Sequence, residues 1–228
     1  MSNSTVTIVV ANKAYSSWSL RGWLAVRLAG IAYDEVVIPL REPTTRADIL
    51  KYSPSAKLPA LIDGKVRVWE SLAIIEYLAE KYPHAPLWPK DFVARAHARA
   101  IASEMHGGFV PLRRALPMNL RRKLTCPMLD DAVQVDINRI QAIWREAHRH
   151  FGGALGSGPF LFGGFSAADA MFAPVVSRFV TYGIALEDHA RAYVDAVMAQ
   201  PFMVEWIDAA MKEPWIIPAF EPEGAQGG

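Results

Sequence analysis

Three short stretches in the first third of the 228-residue chain carry residues arranged for chemistry. In Tyr15-Ser16-Ser17-Trp18-Ser19-Leu20-Arg21, two adjacent serines follow the apolar, β-branched run Val6-Thr7-Ile8-Val9-Val10 and precede Leu20, Trp23, Leu24 and Leu28 at helical spacing. The serines therefore fall on a strand-to-helix turn. A helix N-terminus carries unpaired N–H groups and partial positive charge, so a hydroxyl there can donate to an anion, a thiolate included, held just outside the helix. Serine is also a favoured N-cap in its own right. The chemical reading stands only if other segments build a pocket around the same helix end.

Two further stretches can do so. Ser53-Pro54-Ser55-Ala56-Lys57-Leu58-Pro59-Ala60-Leu61-Ile62 runs into Asp63-Gly64 and Val66-Arg67-Val68, a tight-turn signal between two apolar runs that predicts antiparallel strands. Pro59 opens the first of them, either as a plain edge-strand start or as a cis turn that leaves the Leu58 backbone facing outward for another peptide to pair with. Beyond it, Leu72, Ile75, Leu78 and Tyr82 share one helical face and Pro83 stops the helix, so Glu70-Ser71 occupies a second helix N-terminus. There Ser71 and free N–H groups suit a carboxylate and Glu70 suits an ammonium, although capping alone accounts equally well for Ser71. Two helix ends and one open backbone edge fit a short peptide with a zwitterionic end and a thiol. Glutathione has that description.

In this order and spacing the stretches resemble the glutathione transferase family over essentially the whole chain. Lys57-Leu58-Pro59-Ala60-Leu61 resembles its Lys-Val-Pro-Ala-Leu motif, and Glu70-Ser71 its Glu-Ser pair. Ser16-Ser17-Trp18-Ser19-Leu20-Arg21 resembles the Ser-Ser-Cys-x-x-Arg motif of the zeta class, while the second half of the domain is also close to the tau class. The resemblance implies a thioredoxin-like domain of β-α-β-α-β-β-α order and a homodimer. It implies Ser16 as the catalytic, thiolate-stabilising hydroxyl, with Tyr15 as its rival. It places Lys57 near the glycine carboxylate of glutathione, Leu58 and Pro59 along its cysteinyl backbone, and Glu70 with Ser71 at its γ-glutamyl end. Trp18 stands where the zeta class has cysteine, a departure from the residue typical of its isomerases. Ser53 and Ala56 replace the usual Asn and Gly.

The elements that must hold these residues divide the chain into an α/β part and an all-α part: a thioredoxin-like domain over 1–83, a proline-rich linker over 84–90, and a helical bundle over 91–228. In the first part, strands are expected at Tyr33–Leu40 as well as at 6–10, with a short helix at Arg46–Lys51. In the second, helices are expected over Asp91–Leu120 with a kink near Gly107-Gly108 or Pro111, Met128–Phe151, Leu186–Gln200 and Pro201–Lys212, plus one capped by Ser166 and Asp169. Val133, Ile137, Ile140, Trp144, Ala147 and Phe151 form a core stripe. By spacing and by analogy, Met105, His106, Phe109 and Arg113, with Trp215 or Phe220, line the electrophile site between the domains. A core role for Met105 and Phe109 fits as well.

Composition narrows the function. A net charge of +1 gives no case for nucleic acid, and no segment reaches the length of a membrane span. The single cysteine, Cys126, fits a reducing, cytoplasmic setting, and its distance from the first domain argues against mixed-disulfide exchange. No His, Asp and Glu cluster has metal-ligand spacing, so no metal is expected. The tail from Glu221 to Gly228 is set apart by composition. The expected function is activation of the glutathione thiol for conjugation or addition to a small apolar electrophile. The alternatives are a glutathione-dependent isomerase and a non-catalytic ligand-binding or stress protein on the same fold.

Overall fold

The computed structural model describes residues 6–152 and 158–221, so the tail 222–228 lies outside the described residues. Strands β1 (Val6–Val10), β2 (Tyr33–Val37), β3 (Ala60–Asp63) and β4 (Val66–Trp69) form one sheet in the order β2-β1-β3-β4. β1 and β2 run parallel through the crossover helix α1 (Ser17–Ala29), while β3 pairs antiparallel with both β1 and β4. The period of two along β1 sends Val6, Ile8 and Val10 towards α1 and α3 (Ser71–Lys81). Val9 points the other way, onto Ile49 of α2 (Thr45–Leu50). Helices thus cover both faces in a thioredoxin-like arrangement.

The strand read to Leu40 stops at Val37. Ile38 still donates to the Val10 carbonyl at 2.9 Å, but Pro39 has no N–H with which to extend the ladder. In the hairpin, Asp63 pairs with Val66, and the two turn residues are Gly64 and Lys65, with Gly64 at φ 60°.

The remainder is helical: α4 (Phe92–Gly107), α5 (Val110–Ala115), α6 (Asp131–Ala147), α7 (Ala167–Thr181), α8 (Asp188–Met198) and α9 (Pro201–Lys212). The single helix expected over Asp91–Leu120 is instead two. Gly108 is extended and Phe109 adopts φ 60°, so α4 ends at Gly107; Pro111 opens α5, which lasts six residues. The helix expected from Met128 starts at Asp131, capped by Asp130, whose carboxylate accepts from Val133 N–H at 2.8 Å. It runs into a π-helical turn, His148–Gly152. Its stripe is buried from Val133 to Ala147, and Phe151 stacks half-buried on Phe162. α8 is shorter at both ends than the stretch read from Leu186 to Gln200, while α9 has the expected bounds.

Helix α7 is the axis of the molecule, buried along nearly its whole length and packed against α1, α4 and α8. Its N-terminus is built on Asp169. The Ser166 N–H and hydroxyl both donate to one carboxylate oxygen, at 2.8 and 2.9 Å, and Leu161 N–H and the Tyr193 hydroxyl donate to the other, each at 3.1 Å. Burial pushes this carboxyl up to about 6 in spite of those four donors. Removing the acceptor strands all four. Asp169→Ala should therefore cost about 3–5 kcal/mol in urea unfolding; a loss below about 1 kcal/mol would show that the donors find other partners.

Candidate active site

The β1–α1 turn, the Leu58–Pro59 turn and the start of α3 converge on a cavity of ≈ 350 Å³ lined by Ser16, Trp18, Lys57, Leu58, Pro59 and Glu70, with Ala11, Leu40, Ile49 and Ala56 closing its sides. Ser16 is the N-cap of α1: its backbone is extended at φ −88° and ψ 91°, and its Oγ accepts from Ser19 N–H at 3.3 Å. The first turn of α1 carries no acid, so nothing there opposes an anion at the helix end. The Ser16 hydroxyl donates to Ser19 Oγ at 2.8 Å, and Ser19 Oγ accepts from Ala11 N–H at 2.9 Å. Two hydroxyls in series leave a choice of proton placement. If Ser16 turns its proton to an incoming thiolate, Ser19 can donate to Ser16 Oγ and keep its bond from Ala11. Ser19 is fully buried. Its place at N3 after an N-cap serine is the local sequence signal for this role, one that the site residues expected from sequence do not include.

On the opposite wall the Leu58–Pro59 bond is cis, the second of the two readings left open by the sequence. Among the described residues neither the N–H nor the C=O of Leu58 is hydrogen-bonded. The Pro59 ring lies so near α1 that a Cβ on Gly22 would come within 2.8 Å of Pro59 Cγ. Lys57 is exposed at the rim. At the start of α3, Glu70 adopts φ 71° and leaves its carboxylate partly exposed, whereas Ser71 is fully buried with its Oγ unpaired among the described residues. A buried helix-start hydroxyl without a protein partner fits an incoming carboxylate, and the unpaired Leu58 amide fits a peptide backbone. Both match the donor and acceptor pattern of glutathione.

The four residues expected to meet the electrophile separate into two pairs. Met105 is fully buried and Phe109 nearly so, both in the main core, and neither lines the cavity. His106 and Arg113 instead reach Trp18, which they enclose together with Arg21. The Arg21 and Arg113 guanidinium carbons lie 4.6 and 5.0 Å from the indole centroid, and the His106 ring meets it edge-on at 5.0 Å. Arg21 is almost wholly buried, donates from Nε to the Met171 carbonyl at 3.0 Å, and has no carboxylate partner among the described residues. Burial, then the neighbouring cations Arg113 and Arg178, hold its pKa well below the usual guanidinium value. Burial and Arg21 likewise lower His106, against a smaller opposing pull from Glu70 at 3.9 Å.

Tyr15, the rival to Ser16, sends its hydroxyl to Glu221 at 2.6 Å and does not line the cavity. Trp215 and Phe220 do not line it either; Phe220 packs on Tyr15. Among the described residues no group of three or more His, Cys, Asp or Glu could hold a metal ion. A groove of ≈ 390 Å³ between α3 and the start of α4 is lined by Glu76, Trp88, Arg95 and Arg99, with Glu76 and Arg99 already joined as an ion pair.

The model for "Glutathione S-transferase, N-terminal domain" matches residues 15–81, and that for "Glutathione S-transferase, C-terminal domain" matches residues 134–209. A Caenorhabditis elegans protein named probable maleylacetoacetate isomerase is 36% identical over 124 residues, 54% of this chain and 56% of that protein. Glutathione S-transferase Z2 of Arabidopsis thaliana is 36% identical over 104 residues, 43% of this chain and 47% of its own. The chain thus spans about half the length of the curated relatives it matches. Among solved structures, a glutathione S-transferase from the Antarctic clam Laternula elliptica superposes with TM-score 0.67 at 25% identity, covering 89% of this chain and 92% of that one.

The depressed His106 gives a pH test. Between its folded value and the ordinary 6.5 the unfolded chain binds the proton more readily, so stability should fall as pH drops below 6.5. His106→Asn should flatten that fall in unfolding midpoints measured across the range; an unchanged slope would assign it to His97, which burial also lowers.

Proposed function

Because the chain belongs to the glutathione transferase family, we propose that it binds glutathione along the Leu58–Pro59 edge and activates the thiol with the Ser16 hydroxyl for attack on a small electrophile. The observation that carries this reading is the convergence on one cavity of a hydroxyl-capped helix end, an unpaired backbone edge and the Glu70 carboxylate, with the orphaned Ser71 hydroxyl buried one residue beyond the cavity lining. Ser71 and the N–H groups opening α3 would take the γ-glutamyl carboxylate, Glu70 its ammonium, Leu58 the cysteinyl backbone, and Lys57 the glycine carboxylate.

Magnitudes support the role of Ser16. A free thiol near pKa 8.5 is mostly protonated at neutral pH, and lowering it by roughly two units requires about 2.7 kcal/mol of preference for the thiolate. One hydrogen bond to a charged acceptor supplies roughly 1.5–3 kcal/mol, and a helix N-terminus roughly 0.3–1 kcal/mol. Ser16 acts as donor and forms no covalent bond. The thiol proton leaves to solvent, the sulfur pair forms the new S–C bond, and either a leaving group departs with its bonding pair or the adduct takes a proton from water.

The electrophile would sit against Trp18, flanked by Arg113 and His106. A second reading, glutathione-dependent cis–trans isomerisation of an unsaturated carboxylic acid, draws support from the cations of that wall and from the printed name of the C. elegans relative. Trp18 in place of the zeta-class cysteine weighs against it. For assembly we favour a homodimer, supported by the exposed apolar side chains Phe92 and Val93, 74% and 63% exposed at the start of α4, and Val66 and Trp69 on the edge strand β4.

Ser16→Ala should lower kcat towards an activated aryl halide by about ten-fold or more while glutathione affinity changes little, the pattern of an interaction that favours the thiolate over the thiol. Unchanged turnover would move activation to a backbone N–H. Ser19→Ala should lower kcat less, by about three- to ten-fold, because it removes the second hydroxyl of the series and leaves Ser16 in place; turnover equal to wild type would mean the series carries no polarisation. Turnover of a cis-dienoic acid with no conjugate formed would favour the isomerase reading.

A further inference from the structure

The loop from Asn12 to Ser16 is held by a part of the chain some 200 positions away. After α9 the backbone doubles back beneath this loop through Glu213–Glu221. The Glu213 carboxylate accepts from the backbone N–H groups of Lys13 at 2.7 Å and Ala14 at 3.2 Å. Glu221 accepts from the Tyr15 hydroxyl at 2.6 Å, and it is itself fixed by Asn119 at 3.0 Å and Arg122 at 2.8 Å. Arg121 closes the strap on itself by donating to the carbonyl oxygens of Ala210, Glu213 and Trp215. Between these polar ties, Ala14, Tyr15, Ala210 and Ile217 form a separate buried apolar cluster with Phe220 against it.

Three consecutive residues, Lys13 to Tyr15, are thus tied to the strap, and the next residue is Ser16. The Ser16 N–H bonds within the loop, to the Asn12 carbonyl at 2.9 Å, so its position follows from that of the loop. Neither Glu213 nor Glu221 lines the cavity. A carboxylate on two successive backbone N–H groups does for an irregular loop what a ladder does for a strand. It also fixes the loop from outside the cavity lining.

We propose that Glu213 and Glu221 are positioning residues for Ser16: the C-terminal strap sets the loop so that the hydroxyl meets the bound sulfur. The proposal rests on the reading of Ser16 as thiolate donor. Displacements of about 1 Å at such a donor can cost up to about a hundred-fold in rate.

The test compares wild type with Glu213→Ala, Glu213→Gln and Glu221→Gln, each saturated with reduced glutathione. Thiolate absorbance is titrated against pH, and glutathione Kd, kcat/KM and Tm are measured on the same samples. Glu213→Ala should move the bound-thiol titration towards that of free glutathione and lower kcat/KM by about ten- to a hundred-fold, with Kd within about two-fold of wild type. Glu213→Gln should fall between, since one amide oxygen can still accept one N–H. Variants with a lowered Tm but a wild-type thiol titration overturn the strap while leaving the role of Ser16 intact. A wild type whose bound thiol is not depressed overturns that role, and the strap with it. If Glu213→Ala does not fold, the two glutamine variants, nearly isosteric with the native side chains, decide the matter by the same readouts.

Discussion

The distance at which α1 can pass the Pro59 ring governs the rest of the site. A residue with a side chain at position 22 would place its Cβ within 2.8 Å of Pro59 Cγ, so the approach depends on glycine at that point. The contact lies less than two turns into the helix that Ser16 caps, and the ring it meets follows the open Leu58 backbone directly. One contact therefore sets the gap between the hydroxyl and the peptide edge. Around it, α1 is buried from Ser19 to Val26 and α7 packs along the helix, which holds it in place. Burial also removes water from most of the helix, which strengthens the field its N-terminus presents to an anion.

The wall around Trp18 shows a different balance. Arg21, Arg113 and Arg178 come together at the seam between sheet and helical bundle, and among the described residues no carboxylate pairs with Arg21 or Arg178. Backbone carbonyls and the indole face take their place: Met171 for Arg21, Leu116 and Pro174 for Arg178, and Trp18 for both Arg21 and Arg113. Carbonyl dipoles solvate a guanidinium without cancelling its charge, so the seam stays positive. A thiolate at the adjoining cavity, or an electrophile that gathers negative charge as it reacts, gains from that field without a direct contact.

The N-terminal unit was legible because its signals are local. A β-branched run, an N-cap serine, a proline at a strand start, a turn glycine and a Glu-Ser pair each act within a few residues, and together they outline β1, α1, the β3–β4 hairpin and α3. Helix spacing failed where the backbone broke it. Met105, Phe109, Leu112 and Arg113 share a face only if one helix runs through them, but Phe109 turns left-handed and starts a new one. Even on a continuous helix, spacing groups residues without saying which group faces the core, and Met105 with Phe109 turned out to face it. The strap could not be read at all: an ion-to-amide bond between Glu213 and Lys13 leaves no trace in either neighbourhood of the sequence. The same holds for the Arg21–Trp18–Arg113 stack, whose members come from two helices.

Activation of the thiol by Ser16 depends on where the tripeptide lies, which a crystal structure of the protein soaked with reduced glutathione would show. The sulfur should lie within hydrogen-bonding distance of Ser16 Oγ, the cysteinyl backbone should pair with Leu58, and the γ-glutamyl carboxylate should meet Ser71 Oγ. Glutathione bound elsewhere, or bound here with its sulfur turned away from Ser16, would contradict it.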